Sequence, residues 1–470
     1  MSDTKTTATL FDAYLGGQDV AACFGAVAFT AHMLAFETAL AEAEAELGFV
    51  PDGAARAILA AAEVDRFDLD DLARATVAAS NPAIPLVQAL TAAVAADDKA
   101  AARYVHWGAT SQDVVDSATM LAARTALEII DARLARIGAL LIELAAAHRA
   151  TPMVARTLSQ QAGPTTFGFK CAGWLDGLVG ARTAIHRECL ALPLQFGGAT
   201  GTLAAFGERG RAVAALVAAR LDLRDAAPWH TERGAVRALA AALAQVAAAA
   251  GKIADDIVRL AQSEVGEVAE RAEDGRGGSS ALPHKRNPVA AIAACAAARR
   301  APGCLATVFA AFDQQHERAA GAWHAEWPAL VGLFTVTGGA LEQLERALDG
   351  LEIDAAAMLD NLERMQGLGM SEAVAMALAP TIGRAAAQAV VRQACLAAVD
   401  AGENLATVLG RDAQVVEILG SDGLAAALAP ENHLGVAGEL VDAAIARARA
   451  WHATPGATDA GADDAEGEVT

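Results

Sequence analysis

The chain has 470 residues, 54% of them hydrophobic but only 4% aromatic, and carries a formal net charge of −21. It is long enough to bury a large core built mainly of small aliphatic side chains. So acidic a chain excludes nucleic acid and anionic membrane as partners, because binding phosphates needs a basic face, and an anionic substrate must therefore find a local positive patch.

The opening residues, Met-Ser-Asp-Thr-Lys-Thr-Thr, lack the apolar core of a signal peptide, and no charge-free apolar run of about 18 residues follows. Cys23, Cys171, Cys189, Cys295, Cys304 and Cys395 lie far apart, with neither a CxxC pair nor zinc-site spacing. These features predict small buried thiols in a reducing compartment, hence a cytoplasmic protein.

Residues 1–108 read as an N-terminal helical segment, broken near Ser80-Asn-Pro-Ala-Ile-Pro85 where turn formers cluster. Next comes Val105-His106-Trp107-Gly108-Ala109-Thr110-Ser111-Gln112-Asp113, whose hydroxyls can cap a helix or leave its free amides to hold a carboxylate. Leu127, Ile130, Leu134, Ile137, Leu141 and Leu144 then recur at alternating three and four spacings, one face of a long helix that needs a partner.

A break at Thr151-Pro152 precedes Ala155-Arg156-Thr157-Leu158-Ser159-Gln160-Gln161-Ala162-Gly163-Pro164-Thr165-Thr166-Phe167-Gly168. Further breaks fall at Leu192-Pro193 with Gly197-Gly198, and at Gly367-Leu-Gly369. Apolar spacing over residues 235–260 and 290–312 predicts more long helices, with alanine runs permitting close approach. Alternating strand patterns are scarce, so the fold class is all-α: three helical segments around a long central bundle, 1–108, 109–362 and 363–452. Residues 453–470, without periodicity, should be a disordered acidic tail. His148, His186 and His230 stand alone and read as packed or solvated.

Between the predicted helices lies Gly278-Ser279-Ser280-Ala281-Leu282-Pro283-His284-Lys285-Arg286-Asn287-Pro288. Hydroxyls, fixed cations and an amide share a loop, 273–288, whose glycines can pivot and whose last proline can start a helix. Such a loop suits a carboxylate. It is no P-loop, because Lys285 lacks the preceding glycine and following hydroxyl.

This loop resembles the signature of the fumarase/aspartase superfamily, and the segment from His106 to Asp113 resembles its His-x-Gly-x-Thr-Ser-x-Asp motif. Gly197-Gly-Ala-Thr-Gly-Thr202, Ser371-Glu-Ala-Val and Gly383-Arg384 look like its structural patterns, so the resemblance spans all but the tail. It implies a homotetramer with active sites shared between subunits, needing no metal or organic cofactor. A loop serine, Ser279 or Ser280, would exchange a proton beside a substrate carboxylate. Lys285 and Asn287 would stabilise the growing charge, and His106, Thr110, Ser111, Gln160, Gln161 and Arg318 would bind substrate, with His284 a weaker candidate.

Departures from the pattern narrow the branch. Adenylosuccinate and argininosuccinate lyases carry a histidine after the Arg-Thr pair, to protonate a departing nitrogen; here that position is Leu158. Where adenylosuccinate lyases have Arg-His-Asp-Val, this chain has Ser80-Asn81-Pro82-Ala83-Ile84-Pro85-Leu86-Val87. Trp327 stands where a second phosphate-holding arginine would follow Arg318. The pattern is similar to the cycloisomerase branch, which implies closure of 3-carboxy-cis,cis-muconate, a small tricarboxylate, to a lactone in aromatic degradation. The alternatives are a lyase releasing fumarate from a succinyl adduct, and a storage protein on a retired scaffold, against which the intact loop argues.

Overall fold

The computed structural model describes residues 10–272, 282 and 285–452. Ser279, Ser280 and His284, and residues 453–470, lie outside the described residues. The principal helices are α1 (Ala26–Glu46), α2 (Ala83–Asp97), α3 (Ser111–Ala147), α4 (Phe167–Leu190), α5 (Gly234–Leu260), α6 (Val289–Ala310) and α7 (Ala322–Leu348), followed by α8 (Ser371–Ile382), α9 (Arg384–Ala401), α10 (Ala413–Leu428) and α11 (Ala437–His452). The all-α expectation holds, with one hairpin and one two-residue ladder beside the helices.

The 37-residue α3 begins where Thr110 and Asp113 form a reciprocal capping box. Its stripe of Leu127, Ile130, Leu134, Ile137 and Leu141 is buried against neighbouring helices, each side chain contributing about 1.5–3 kcal/mol. Helices α5 and α6 pack so closely that a side chain on Gly251 would come within 2.7 Å of the Ala298 methyl. Both are long and apolar enough to cross a membrane by length and composition. Here they pack together in the bundle, with Val246, Ala250, Ile253, Ala290 and Ala294 in one core. That core runs continuously from α1 through α7 and takes in Val441, Ala444 and Ile445 of α11. Val374, Leu378, Ala387, Val391 and Leu424 of α8, α9 and α10 form a separate, smaller core.

A hairpin, β1 (Pro152–Thr157) paired antiparallel with β2 (Gln160–Thr166), follows α3 directly. The sequence reads this stretch only as a motif, because it lacks two-residue alternation and its turn has no glycine. Leu158 and Ser159 both adopt positive φ, 51° and 64°, the backbone of a two-residue hairpin turn usually given to Asn and Gly.

The ion pairs fix how the bundle runs. Arg233, just before α5, pairs with Asp116 in the second turn of α3 at 2.6 Å, and Arg318, just before α7, bonds Gln112 in the first. Helices α3, α5 and α7 therefore start at one end, here called proximal. At the distal end Arg156 of β1 meets Glu267 after α5, and the Glu270 carboxylate accepts Ala290 and Ala291 N–H at 3.2 and 2.7 Å at the start of α6. There too Arg286 forks onto Glu352 beyond α7. At 1.5 Å per residue, the 27 residues of α5 separate the two ends by about 40 Å.

Candidate active site

At the proximal end Asp113 organises the loop preceding α3. It is wholly buried, and its carboxylate accepts the Thr110, Gly197 and Gly198 N–H groups at 3.0, 2.9 and 2.8 Å and the Gln195 amide at 2.9 Å. His230 Nε2 lies 3.1 Å away. These contacts supply the hydrogen bonds a buried carboxylate requires, and they bring the 197–202 turn against the motif. Gly108 and Gly198 are needed there: a side chain on Gly108 would strike Phe206 at 2.5 Å, and one on Gly198 the Gly108 carbonyl at 2.8 Å. His230, set aside in the sequence, is thus a packed, hydrogen-bonded histidine.

Above this hub sits Arg318. Its Nε donates to Gln112 Oε1 at 3.1 Å and its Nη2 to Thr110 Oγ1 at 3.1 Å. No carboxylate pairs with it among the described residues, so a guanidinium is aimed by neutral acceptors and its charge stays available to an anion. Gln112 is itself held by Asp116 and the His230 carbonyl, at 3.0 and 2.8 Å. Asp116 belongs to a buried Asp116–Arg233–Glu326 triad, with Trp323 Nε1 donating to Asp116 at 2.9 Å. Burial opposes charge on Arg233, but the two carboxylates outweigh it and its pKa is raised; burial raises that of Glu326. Ser111 begins α3 beside Thr110.

His106 takes a positive φ of 58° and places Nδ1 2.6 Å from Glu37 Oε1 on α1. Burial alone would lower its pKa, but the charge and hydrogen bond of Glu37 overcome this and hold it above the usual value. Trp327, at the position expected to exclude a phosphate-binding arginine, stacks edge-on against Trp323.

At the distal end Leu158 caps the hairpin with its side chain 99% exposed, and Gln160 and Gln161 lie exposed on β2. Lys285 is exposed without an acceptor for its ammonium among the described residues. Arg286 is committed: it grips Glu352 and also donates to the Glu270 carbonyl at 2.6 Å. Asn287 sits beside it, before α6. The site residues expected from the sequence thus fall into two groups in one chain. His106, Thr110, Ser111 and Arg318 are proximal; Gln160, Gln161, Lys285 and Asn287 are distal. Glu37 and Glu44 went unread, although two acids seven residues apart on an apolar helix were a visible signal.

A helical bundle with these motifs at its two ends defines an enzyme of the fumarase/aspartase superfamily. Residues 1–303 match the family described as Lyase and residues 367–444 the Adenylosuccinate lyase C-terminus; the chain belongs to the Lyase family. It is 48% identical to a 3-carboxy-cis,cis-muconate cycloisomerase of Bradyrhizobium diazoefficiens, covering 87% of this chain and 92% of that one. It is 45% identical to a nitrosuccinate lyase of Streptomyces davaonensis, covering 91% and 92%. The crystal structure of a 3-carboxy-cis,cis-muconate lactonizing enzyme from Pseudomonas putida superposes with a TM-score of 0.89 at 42% identity, over 95% of this chain and all of that one.

Proposed function

We propose that this enzyme is a 3-carboxy-cis,cis-muconate cycloisomerase. One terminal carboxylate of the substrate attacks the carbon bearing the central carboxylate and closes a five-membered lactone. The adjacent carbon takes on carbanion character, spread into its own carboxylate. Lys285 and Asn287 stabilise that charge, and Ser279 or Ser280 delivers the proton. Arg318, Thr110 and Ser111, with Gln160 and Gln161, hold the remaining carboxylates and fold the chain toward attack geometry. Lys285 and Arg318 offer fixed cations, and His106, its pKa raised by Glu37, a third donor, to three carboxylates.

The observation that carries this reading is Leu158. A succinyl lyase must protonate a departing nitrogen, and the hairpin tip offers a side chain with no proton to give, whereas a substrate carboxylate needs no such help. Separation of the two residue groups by about 40 Å supports a shared site, since no single chain brings both to one small molecule. The homotetramer accounts for this, and also for Ile292 and Phe309 of the apolar α6, which are 40% and 47% exposed in one chain. Six free cysteines support a cytoplasmic location.

The relative described as a nitrosuccinate lyase favours a second reading, elimination of a group that departs as a stable anion, which Leu158 does not obstruct. One set of assays separates these. Purified protein should remove the diene absorbance of 3-carboxy-cis,cis-muconate. Fumarate from N-succinyl compounds or from nitrosuccinate, with the diene untouched, would overturn the cycloisomerase assignment.

A further inference from the structure

Behind His106 lies a pair of acids that the reaction as described does not use. Glu37 and Glu44 stand two turns apart on α1, 2% and 1% exposed. Glu37 spends Oε1 on His106 Nδ1 at 2.6 Å, while its Oε2 and both oxygens of Glu44 have no partner among the described residues. His106 Nε2 takes no bond among the described residues, and in sequence His106 precedes by four residues Thr110, whose hydroxyl accepts from Arg318. Glu37 has the imidazole as its partner, whereas burial and then the charge of Glu37 raise the pKa of the Glu44 carboxyl. The charged groups acting on His106 are Glu37 and Asp113, and Glu37 acts on Glu44. Arg220, on the neighbouring helix, turns instead to Glu46 near the exposed end of α1. Glu37 is therefore the carboxyl group that meets the imidazole, and Glu44 the acid behind it whose protonated form burial favours.

We propose that Glu37 is a positioning residue: its carboxylate accepts the hydrogen bond of His106 Nδ1–H, favours the imidazolium and so presents Nε2–H as a cationic donor to a substrate carboxylate at the Thr110–Arg318 cluster. This rests on the substrate being a polycarboxylate. The role is to bind, so it acts on KM and on the pH at which binding fails. The imidazolium is present below the raised pKa of His106 and lost as pH rises through it. Without Glu37, burial dominates and that loss moves to lower pH.

The test uses full-length enzyme with Glu37→Gln, Glu37→Asp, His106→Gln and the Glu37→Gln/His106→Gln pair, each checked for melting temperature and native mass. Glu37→Gln should raise KM for carboxymuconate about tenfold with kcat changed less than about threefold, and shift the alkaline limb of kcat/KM to lower pH. It should add nothing in the His106→Gln background. Glu37→Asp, which keeps the charge one methylene back, should fall between, and carries the test if Glu37→Gln does not fold. An unmoved alkaline limb, a fall in kcat alone, or additive effects would overturn the proposal. Calorimetric titration with tricarballylate, a stable tricarboxylate, separates the two readings. Wild-type protein inactive on carboxymuconate, but binding tricarballylate in a Glu37-dependent, pH-shifted way, loses the cycloisomerase reading and keeps this one. A wild type that does neither loses both.

Discussion

Glu44 has neither oxygen partnered among the described residues, and its burial, with the charge of Glu37 added, pushes its carboxyl up to about 9 from a usual 4.5. The unfolded chain gives up that proton near the lower value, so the folded state holds one more proton throughout the window between. Stability is therefore greatest below the lower value and declines as pH rises toward the upper one, by at most about 1.4 kcal/mol per unit. Glu44→Gln keeps the shape without the ionisation. Urea midpoints from pH 6 to 9 should fall steeply for the wild type and less so for the variant; parallel slopes would show that Glu44 is charged in the folded protein. At this scale residue type alone is a poor guide. Arg286 and Arg318 are both motif arginines, yet one is closed onto the Glu352 carboxylate and the other is held by the neutral acceptors Gln112 and Thr110. The difference lies in partners distant in sequence, which no local pattern reveals.

The long helices were readable because an apolar stripe at three and four spacing has one satisfactory burial. The predicted breaks at Ser80, Thr151 and Gly367 each fall where a helix stops or starts. The hairpin was not readable, since its residues carry no alternation and its turn breaks the usual chemistry. Leu158 in the left-handed region is disfavoured by about 1–2 kcal/mol, and its exposed side chain recovers nothing within one chain. Under the proposed shared site, that combination suits a residue whose side chain meets another copy. Leu158→Asn should leave the melting temperature unchanged or raise it while lowering kcat/KM; thermal scans and steady-state rates on one preparation check both. A lower melting temperature with unchanged rates would make Leu158 a packing residue instead.

For the whole molecule, the parallel starts of α3, α5 and α7 decide the outcome. They put the Arg318 cluster at one end and the Lys285 segment at the other, and the proposed function therefore has copies combine to surround one substrate. Arg318→Met and Lys285→Met should each be nearly inactive. Unfolded together in equal amounts and refolded, they should recover about a quarter of wild-type activity, the share of sites drawing an intact group from each copy. Refolding separately and then mixing should recover none at early times, and no recovery after joint refolding would place both groups within one chain's reach.

Composition and periodicity were enough to determine the helical class, and the resemblance of the motifs to a known superfamily gave the enzyme family and, through Leu158, the reaction branch, with the site residues as an expectation. Each depends on neighbours in sequence, or on chemistry a side chain carries wherever it lies. Only the folded chain decided which cations remain open, that Glu37 and Glu44 stand behind His106, and that the site residues divide between two ends of a bundle. These depend on which helix ends meet across tens or hundreds of intervening residues, a matter of packing the whole core at once.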